Sequence, residues 1–283
     1  MAAWRILRRA VSEFLDDDAM GLAASLAFYT ALSLAPLLLF VIKLAGLLDP
    51  NAQEHVVAQA YGLVGQQGGE AVRGMIEASE RHPATGTMAA LLGAATLAFS
   101  STGVFAQLQA ALNRIWDVRP KPAGALGAWL RKRVLSFGMV LSIAFLLLVS
   151  LVISAVVSAV FSEDTLVWNA LNFVVSLGLF SVLFGLMFRY LPDVRIGWRD
   201  VAMGSLITAL LFAIGKQAIG LYLGRSAVGS AYGAAGSLVV LLLWVYYSGL
   251  VFFFGAEITE AYAHEQQTPI VPDETAERVP DGG

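Results

Sequence analysis

The sequence predicts an all-α polytopic membrane protein with six transmembrane helices. Apolar residues make up 58% of the 283-residue chain and charged residues only 14%, too little polar surface to cover a soluble protein. The apolar residues gather into six stretches of roughly 22 to 28 residues, each able to cross a hydrocarbon core about 30 Å thick as a helix. Within a membrane domain of residues 1–264, we place these spans at 23–48, 86–111, 134–161, 166–188, 201–223 and 234–257.

The distribution of Lys and Arg predicts the orientation of these spans. Thirteen of them lie in the N-terminal arm, loops two and four and the C-terminal tail, whereas three lie in loops one, three and five. Because Lys-rich and Arg-rich loops stay in the cytoplasm, we expect both termini inside the cell. The arginines before the first span are typical of a signal peptide, whose apolar region is only about 7–15 residues long. The first stretch is longer, so we expect a retained span.

Two segments outside the spans are long enough to carry structure of their own. In the outer loop, residues 49–85, apolar side chains recur every three or four positions, which predicts a short amphipathic helical region. This loop could serve as a gate or as a docking surface, and the sequence leaves both open. The tail, residues 265–283, is polar, acidic and contains proline, so we expect it to be disordered.

The first span carries a row of polar side chains. Ser25, Tyr29 and Ser33 follow one another at four-residue spacing and lead to Pro36. Small and polar residues at this spacing often mark contacts between membrane helices. A proline within a span also frees a backbone carbonyl and bends the helix, which is tolerated where a cavity or protein surrounds it. The row is therefore either a packing face or the wall of a substrate path.

Lys216 is the ionisable residue that is hardest to explain as structural. It lies about fifteen residues into the fifth span, with Gln217 beside it and Tyr222 further along. Inserting a charge at the centre of a bilayer costs about 2.5–3.5 kcal/mol on insertion scales, so such residues usually serve a function. Lys216 either lines a polar cavity or makes a structural hydrogen bond.

An aromatic and basic belt is predicted around the second cytoplasmic loop. Tryptophans and cations at the edge of a span commonly anchor it among anionic headgroups. Selection of a lipid headgroup as substrate is the alternative. The belt contains Trp116, Arg119, Lys121, Trp129, Arg131, Lys132 and Arg133.

The sequence lacks the motifs of soluble enzymes and of ATP-driven pumps. It has no cysteine, and its three histidines are scattered over loops predicted on both sides of the membrane. Metal hydrolysis needs clustered ligands, and nucleotide binding needs a glycine-rich phosphate loop. We therefore expect no catalytic residues, metal, cofactor or nucleic-acid partner.

Several stretches resemble the YihY/BrkB family of bacterial inner-membrane proteins, some of which have carried the label ribonuclease BN. The resemblance covers about residues 5–262 and implies six spans in the bacterial cytoplasmic membrane. Nothing here resembles a nuclease site. The matching stretches are Leu26–Pro36, Leu108–Trp116, Tyr190–Asp193, Trp198–Arg199, Tyr232–Gly233 and Gly255–Glu257.

Two functions fit these features. The first is a transporter or translocator of lipid or another amphiphilic, anionic substrate, with Lys216 attracting the anionic group and Pro36 helping to open the path. The alternative is a membrane scaffold that organises an envelope-assembly complex. Membrane lipids are the expected partners in the first case and an envelope protein in the second. Substrate, direction, energy source and oligomeric state do not follow from the sequence.

Overall fold

The computed structural model describes residues 2–46, 103–121, 166–225 and 236–279, together with scattered helical positions between 54 and 77. These residues are mostly helical, which agrees with the predicted fold class. The helices are α1 (Ala2–Asp16), α2 (Ala19–Gly46), α3 (residues 103–115), α4 (Leu166–Tyr190), α5 (Trp198–Arg225) and α6 (Gly236–Glu265).

Three of these helices are long and apolar enough to cross a membrane: Phe173–Tyr190 in α4, Trp198–Ile219 in α5 and Leu238–Glu265 in α6. They correspond to predicted spans four, five and six, and α2 corresponds to the first. Predicted spans two and three, at 86–111 and 134–161, and the outer loop lie largely outside the described residues. The number of six spans therefore stays a prediction.

Local chemistry explains where the helices end. Asp18 adopts a left-handed backbone conformation, with φ of 53°, and separates α1 from α2. Asp is one of the few residues that tolerate this region. Helix α4 ends at Tyr190 because Pro192 cannot continue it. Helix α6 ends in a second left-handed residue, Gln267, with φ of 55°, and the amide of Thr268 donates to the carbonyl of Ala263 at 3.0 Å.

The C-terminal tail is paired with two earlier segments, which differs from the expectation that composition gave. Strand β1 (Val118–Pro120) pairs antiparallel with β4 (Ala276–Arg278), and β2 (Val194–Arg195) pairs antiparallel with β3 (Val271–Pro272). The acidic residues that suggested disorder form ion pairs with the basic loops. Arg119 Nε lies 2.8 Å from Glu277 Oε1, and Arg195 Nη2 lies 3.3 Å from Asp273 Oδ1. Charge complementarity with distant segments is not visible in the composition of the tail.

The chain forms two compact units. The first contains residues 1–19, 109–213 and 251–283, and the second contains residues 20–108 and 214–250. The core of the first unit is a column of phenylalanine rings from α4, α5 and α6. The ring centre of Phe184 lies 5.7 Å from that of Phe212 and 5.9 Å from that of Phe252, and the ring centres of Phe188 and Phe252 are 4.9 Å apart. These spacings are typical of packed aromatic pairs.

In the first unit, α1 packs along the end of α6. Ala10 is completely buried against Ile258 and Ala261, and the ring of Phe14 lies 5.6 Å from that of Phe254. In the second unit, small residues bring helices close together. A Cβ atom at Gly249 would lie 3.2 Å from that of Ala23 in α2, so these two helices approach closely.

Candidate functional site

A buried polar network joins α3 to the turn after α4, within the first unit. Asn113 and Gln109, one turn apart on α3, donate to the two carboxylate oxygens of Asp193 at 2.8 and 3.0 Å. The backbone amide of Asp193 donates in return to Asn113 Oδ1 at 2.8 Å. Asn113 is 4% exposed and Asp193 8%. Because each carboxylate oxygen has a donor, this buried charge is compensated and the network fixes the geometry of the turn.

Arg189 also stabilises this turn, through contacts with residues that follow Asp193. Its guanidinium donates to the carbonyl of Ile196, and its Cζ lies 4.8 Å from the centre of the Trp198 ring. A guanidinium over a tryptophan face is a favourable cation–π contact. The segment between α4 and α5 is therefore held by charge, stacking and the Asp193 network together.

Two glutamates on α6 are buried in a quite different way. Glu257 is completely buried, and neither carboxylate oxygen has a hydrogen-bond partner among the residues that the structure describes. Glu260, one turn later, is 4% exposed and lies 3.4 Å from Arg9 of α1, which also pairs with Glu13 at 2.9 Å. Leaving a buried carboxyl without a partner is costly, so Glu257 is a candidate functional group.

Asp17, in the turn between α1 and α2, adds a further carboxyl to this part of the first unit. Burial raises the pKa of Asp17 from 3.8 to about 6, although Arg114 opposes the shift. The Arg114 Nε lies 3.5 Å from the carboxylate of Asp17. Among the described residues, no group of three acidic or histidine side chains is arranged to hold a metal ion. The carboxyl groups of Glu257, Glu260 and Asp17 can accept protons or bind a cationic group.

The contact between α5 and α6 beside this site is unusually close. A Cβ atom at Gly204 would overlap the side chain of Thr259, and one at Gly255 would overlap that of Thr208. Each threonine hydroxyl donates to the carbonyl of the glycine one turn earlier on its own helix, at 2.7 Å. The two helices therefore present the same Gly-x-x-x-Thr pattern to each other, and their hydroxyls are satisfied within the contact.

Comparison with known proteins agrees with the resemblance seen in the sequence. Residues 10–280 match the family described as Virulence factor BrkB. The chain belongs to the BrkB family.

Three relatives of this family show how far the similarity extends. A UPF0761 membrane protein of Rhodospirillum centenum is 32% identical over 264 residues, covering 90% of this chain and 56% of the relative. One of Ralstonia nicotianae is 29% identical, covering 86% and 55%, and one of Cronobacter sakazakii is 28% identical, covering 94% and 91%. The chain spans about half the length of the first two relatives. No solved structure matches it.

The stretches that carry the BrkB resemblance supply the buried polar groups of the first unit. Asn113 belongs to Leu108–Trp116, Asp193 to Tyr190–Asp193, and Glu257 to Gly255–Glu257. Sequence reasoning did not single out the Asp193 network, Glu260 or the glycine–threonine contact. A Gly-x-x-x-Thr spacing within predicted span five, and another that begins at the end of predicted span six, were usable indications of the contact, whereas nothing local indicates that Asn113 reaches Asp193.

The residues of α2 that were predicted to line a substrate path differ in burial and in the neighbours that they contact. Ser33 is 5% exposed and donates to the carbonyl of Thr30 on its own helix at 3.1 Å. Tyr29 is 41% exposed, and a Cβ at Gly103 would lie 3.0 Å from its ring. Ser25 is half-buried. The side chain of Pro36 lies outside the described residues.

On α5, Lys216 is half-buried and Gln217 is exposed. The residue before the lysine, Gly215, faces Tyr247 of α6 so closely that a Cβ there would overlap the tyrosine hydroxyl. The side chain of Tyr222 lies outside the described residues. The role of these residues as a substrate path stays a prediction.

Part of the predicted headgroup belt is involved in contacts within the protein. Trp116 is 1% exposed, so its ring packs inside the first unit. Arg119 pairs with Glu277 of the tail, and the Lys121 ammonium donates to the carbonyl of Glu274 at 3.1 Å. The remaining members of the belt, Trp129, Arg131, Lys132 and Arg133, lie outside the described residues.

Proposed function

We propose that this integral membrane protein of the BrkB family is a transporter or translocator of lipid or another amphiphilic, anionic substrate. The observation that carries the proposal is Lys216, a half-buried cation within the span-length helix α5. Keeping a cation inside an apolar span costs free energy, so such residues usually serve a function, and an anionic group is the chemistry that a lysine recognises. Lys216 would attract that group, and the polar row of α2 would line its path.

The buried acids of α6 add a second set of ionisable groups to the proposal. Glu257 and Glu260 lie within the apolar helix that spans Leu238–Glu265, and Glu257 has no described partner. Ionisable groups inside spans commonly take part in ion or proton movement. The sequence has no phosphate-binding loop for ATP, so we propose that an ion gradient, a partner protein or the lipid gradient itself drives the movement.

Reconstitution in liposomes tests this function. We expect the wild-type protein to exchange a fluorescent anionic lipid between leaflets faster than protein-free liposomes. Lys216→Met should remove most of this exchange, while Lys216→Arg, which keeps the charge, should retain more of it. Equal exchange by the wild type and Lys216→Met would contradict the role of the lysine, and no exchange by the wild type would contradict transport.

A membrane scaffold for an envelope-assembly complex is the second candidate. The close approach of Gly215 to Tyr247, directly beside Lys216, favours it because tightly filled helix contacts leave less room for a path. In this function an envelope protein would be the partner, and the liposome experiment would give no exchange for any variant. In both functions the protein is not an enzyme and needs no metal, cofactor or nucleic acid.

We further propose that the protein lies in the bacterial cytoplasmic membrane with both termini in the cytoplasm. The contacts within the first unit support this orientation. Helix α1 pairs with the end of α6 through Arg5 and Glu265, and the tail pairs with the segments that follow α3 and α4. These are the segments in which positive charge is concentrated.

A further inference from the structure

Helix α1 exposes a continuous row of large apolar side chains. Trp4, Leu7, Val11 and Leu15 are 69%, 42%, 45% and 58% exposed. They follow one another at spacings of three and four residues, so they lie on one face of the helix. Four large apolar side chains on one face need a reason, because scattered exposed residues would not line up in this way.

The opposite side of α1 is firmly packed, so the exposed row is not the result of a loosely held helix. Ala10 is completely buried against α6, and Ile6 contacts the same cluster. Arg5 pairs with Glu265, and Arg9 pairs with Glu260 at 3.4 Å. The orientation of α1 about its own axis is therefore fixed, and the apolar row points away from the protein that the structure describes.

Arg8 borders the exposed row. At 100° per residue it lies next to Trp4 and Leu15 on the helical circumference, and it is exposed. Arg5 and Arg9 have carboxylate partners, whereas Arg8 has no ion pair among the described residues. An apolar face bordered by an unpaired cation is complementary to a surface of acyl chains beneath anionic phosphates.

We propose that α1 inserts its exposed row into the membrane at the boundary between headgroups and acyl chains, with Arg8 on an anionic lipid phosphate. The lipid surface is the occupant that the chain itself favours. Helix α1 packs against α6, a helix of membrane-spanning length and composition, and only Asp17 and Asp18 separate it from the apolar helix α2. A helix in that position meets lipid unless another protein covers it. The inference does not depend on the transport function.

The absence of cysteine from the chain allows a direct test with single spin labels. Val11→Cys places a nitroxide in the exposed row, and Ser12→Cys places one on the neighbouring polar face as a matched control. The protein is studied in nanodiscs that contain zwitterionic and anionic lipid. We expect oxygen, which concentrates in lipid, to relax the label at position 11 several-fold more effectively than at position 12. A water-soluble nickel complex should show the reverse preference.

Other results would overturn the inference. Equal access of the nickel complex to both positions would place the row in water. Shielding of position 11 from both reagents would mean that a second copy or another protein covers it. Leu15→Cys and Asp16→Cys provide a second pair if a variant at position 11 or 12 does not fold.

The headgroup contact is tested separately with Arg8→Gln. In the wild type, adding anionic lipid should increase the oxygen access of the label at position 11, and Arg8→Gln should abolish that increase. The same response to anionic lipid with and without Arg8 would overturn the assignment of Arg8 to a lipid phosphate.

Discussion

At the scale of single residues, the same carboxylate chemistry appears in two opposite environments. Asp193 is buried with a donor on each oxygen, whereas Glu257 is buried with none among the described residues. A satisfied buried carboxylate stabilises a fixed geometry. An unsatisfied one lowers stability and is usually retained for a function. We therefore assign Asp193 to structure and regard Glu257 as the better candidate for a functional group.

Asp17 makes stability depend on pH in a defined direction. Burial raises its pKa from 3.8 to about 6, so the folded protein binds a proton at this site more tightly than the unfolded chain does. Stability contributed by this group is therefore greatest below about pH 4 and is lost as pH rises towards 6. In detergent, the difference in melting temperature between Asp17→Asn and the wild type should change through this window. Asp16→Asn, at an exposed neighbouring position, is the control. A difference that is constant with pH would contradict the assignment.

At the scale of elements, the contact between α5 and α6 depends on the absence of a side chain at two glycines. Gly204→Ala and Gly255→Ala would each place a Cβ within the side chain of a threonine on the facing helix, and we expect a loss of about 1–3 kcal/mol. Gly178→Ala is the matched control, because no atom of the described residues lies within 4 Å of a Cβ at that position in α4. It should be neutral or slightly stabilising. Unfolding in detergent measures all three.

A double variant makes the same test more specific. Removing the hydroxyl with Thr259→Ala should recover part of the stability that Gly204→Ala loses, because the two changes affect one contact. If the free-energy changes of the two single variants simply add in the double variant, Gly204 and Thr259 do not share a contact, and the assignment is wrong. A destabilisation by Gly178→Ala as large as that by Gly204→Ala would show that the loss is not specific to the contact between α5 and α6.

Hydropathy predicts the long apolar helices because their helical structure follows from the residues within each helix. Helices α2, α4, α5 and α6 follow four predicted spans closely. Helix α6 continues to Glu265, beyond the predicted end at 257, because its buried acids interrupt an apolar stretch without interrupting a helix. Helix α1 and the four strands were not predicted. Their positions depend on partners far along the chain, as in the pairing of Val118 with Arg278. A local sequence pattern does not indicate such distant partners.

At the scale of the whole molecule, the testable property is which segments share a side of the membrane. Positive charge predicts that the tail is inside the cell and the outer loop outside. Since the chain has no cysteine, Glu274→Cys and Glu54→Cys can each be labelled alone, and both residues are exposed. We expect a membrane-impermeant maleimide to label position 54 in intact spheroplasts and position 274 only in inverted vesicles. Labelling of position 274 from outside would show that the orientation is the reverse of the predicted one. Labelling of both positions from the same side would contradict an odd number of crossings between them, and with it the six-span arrangement.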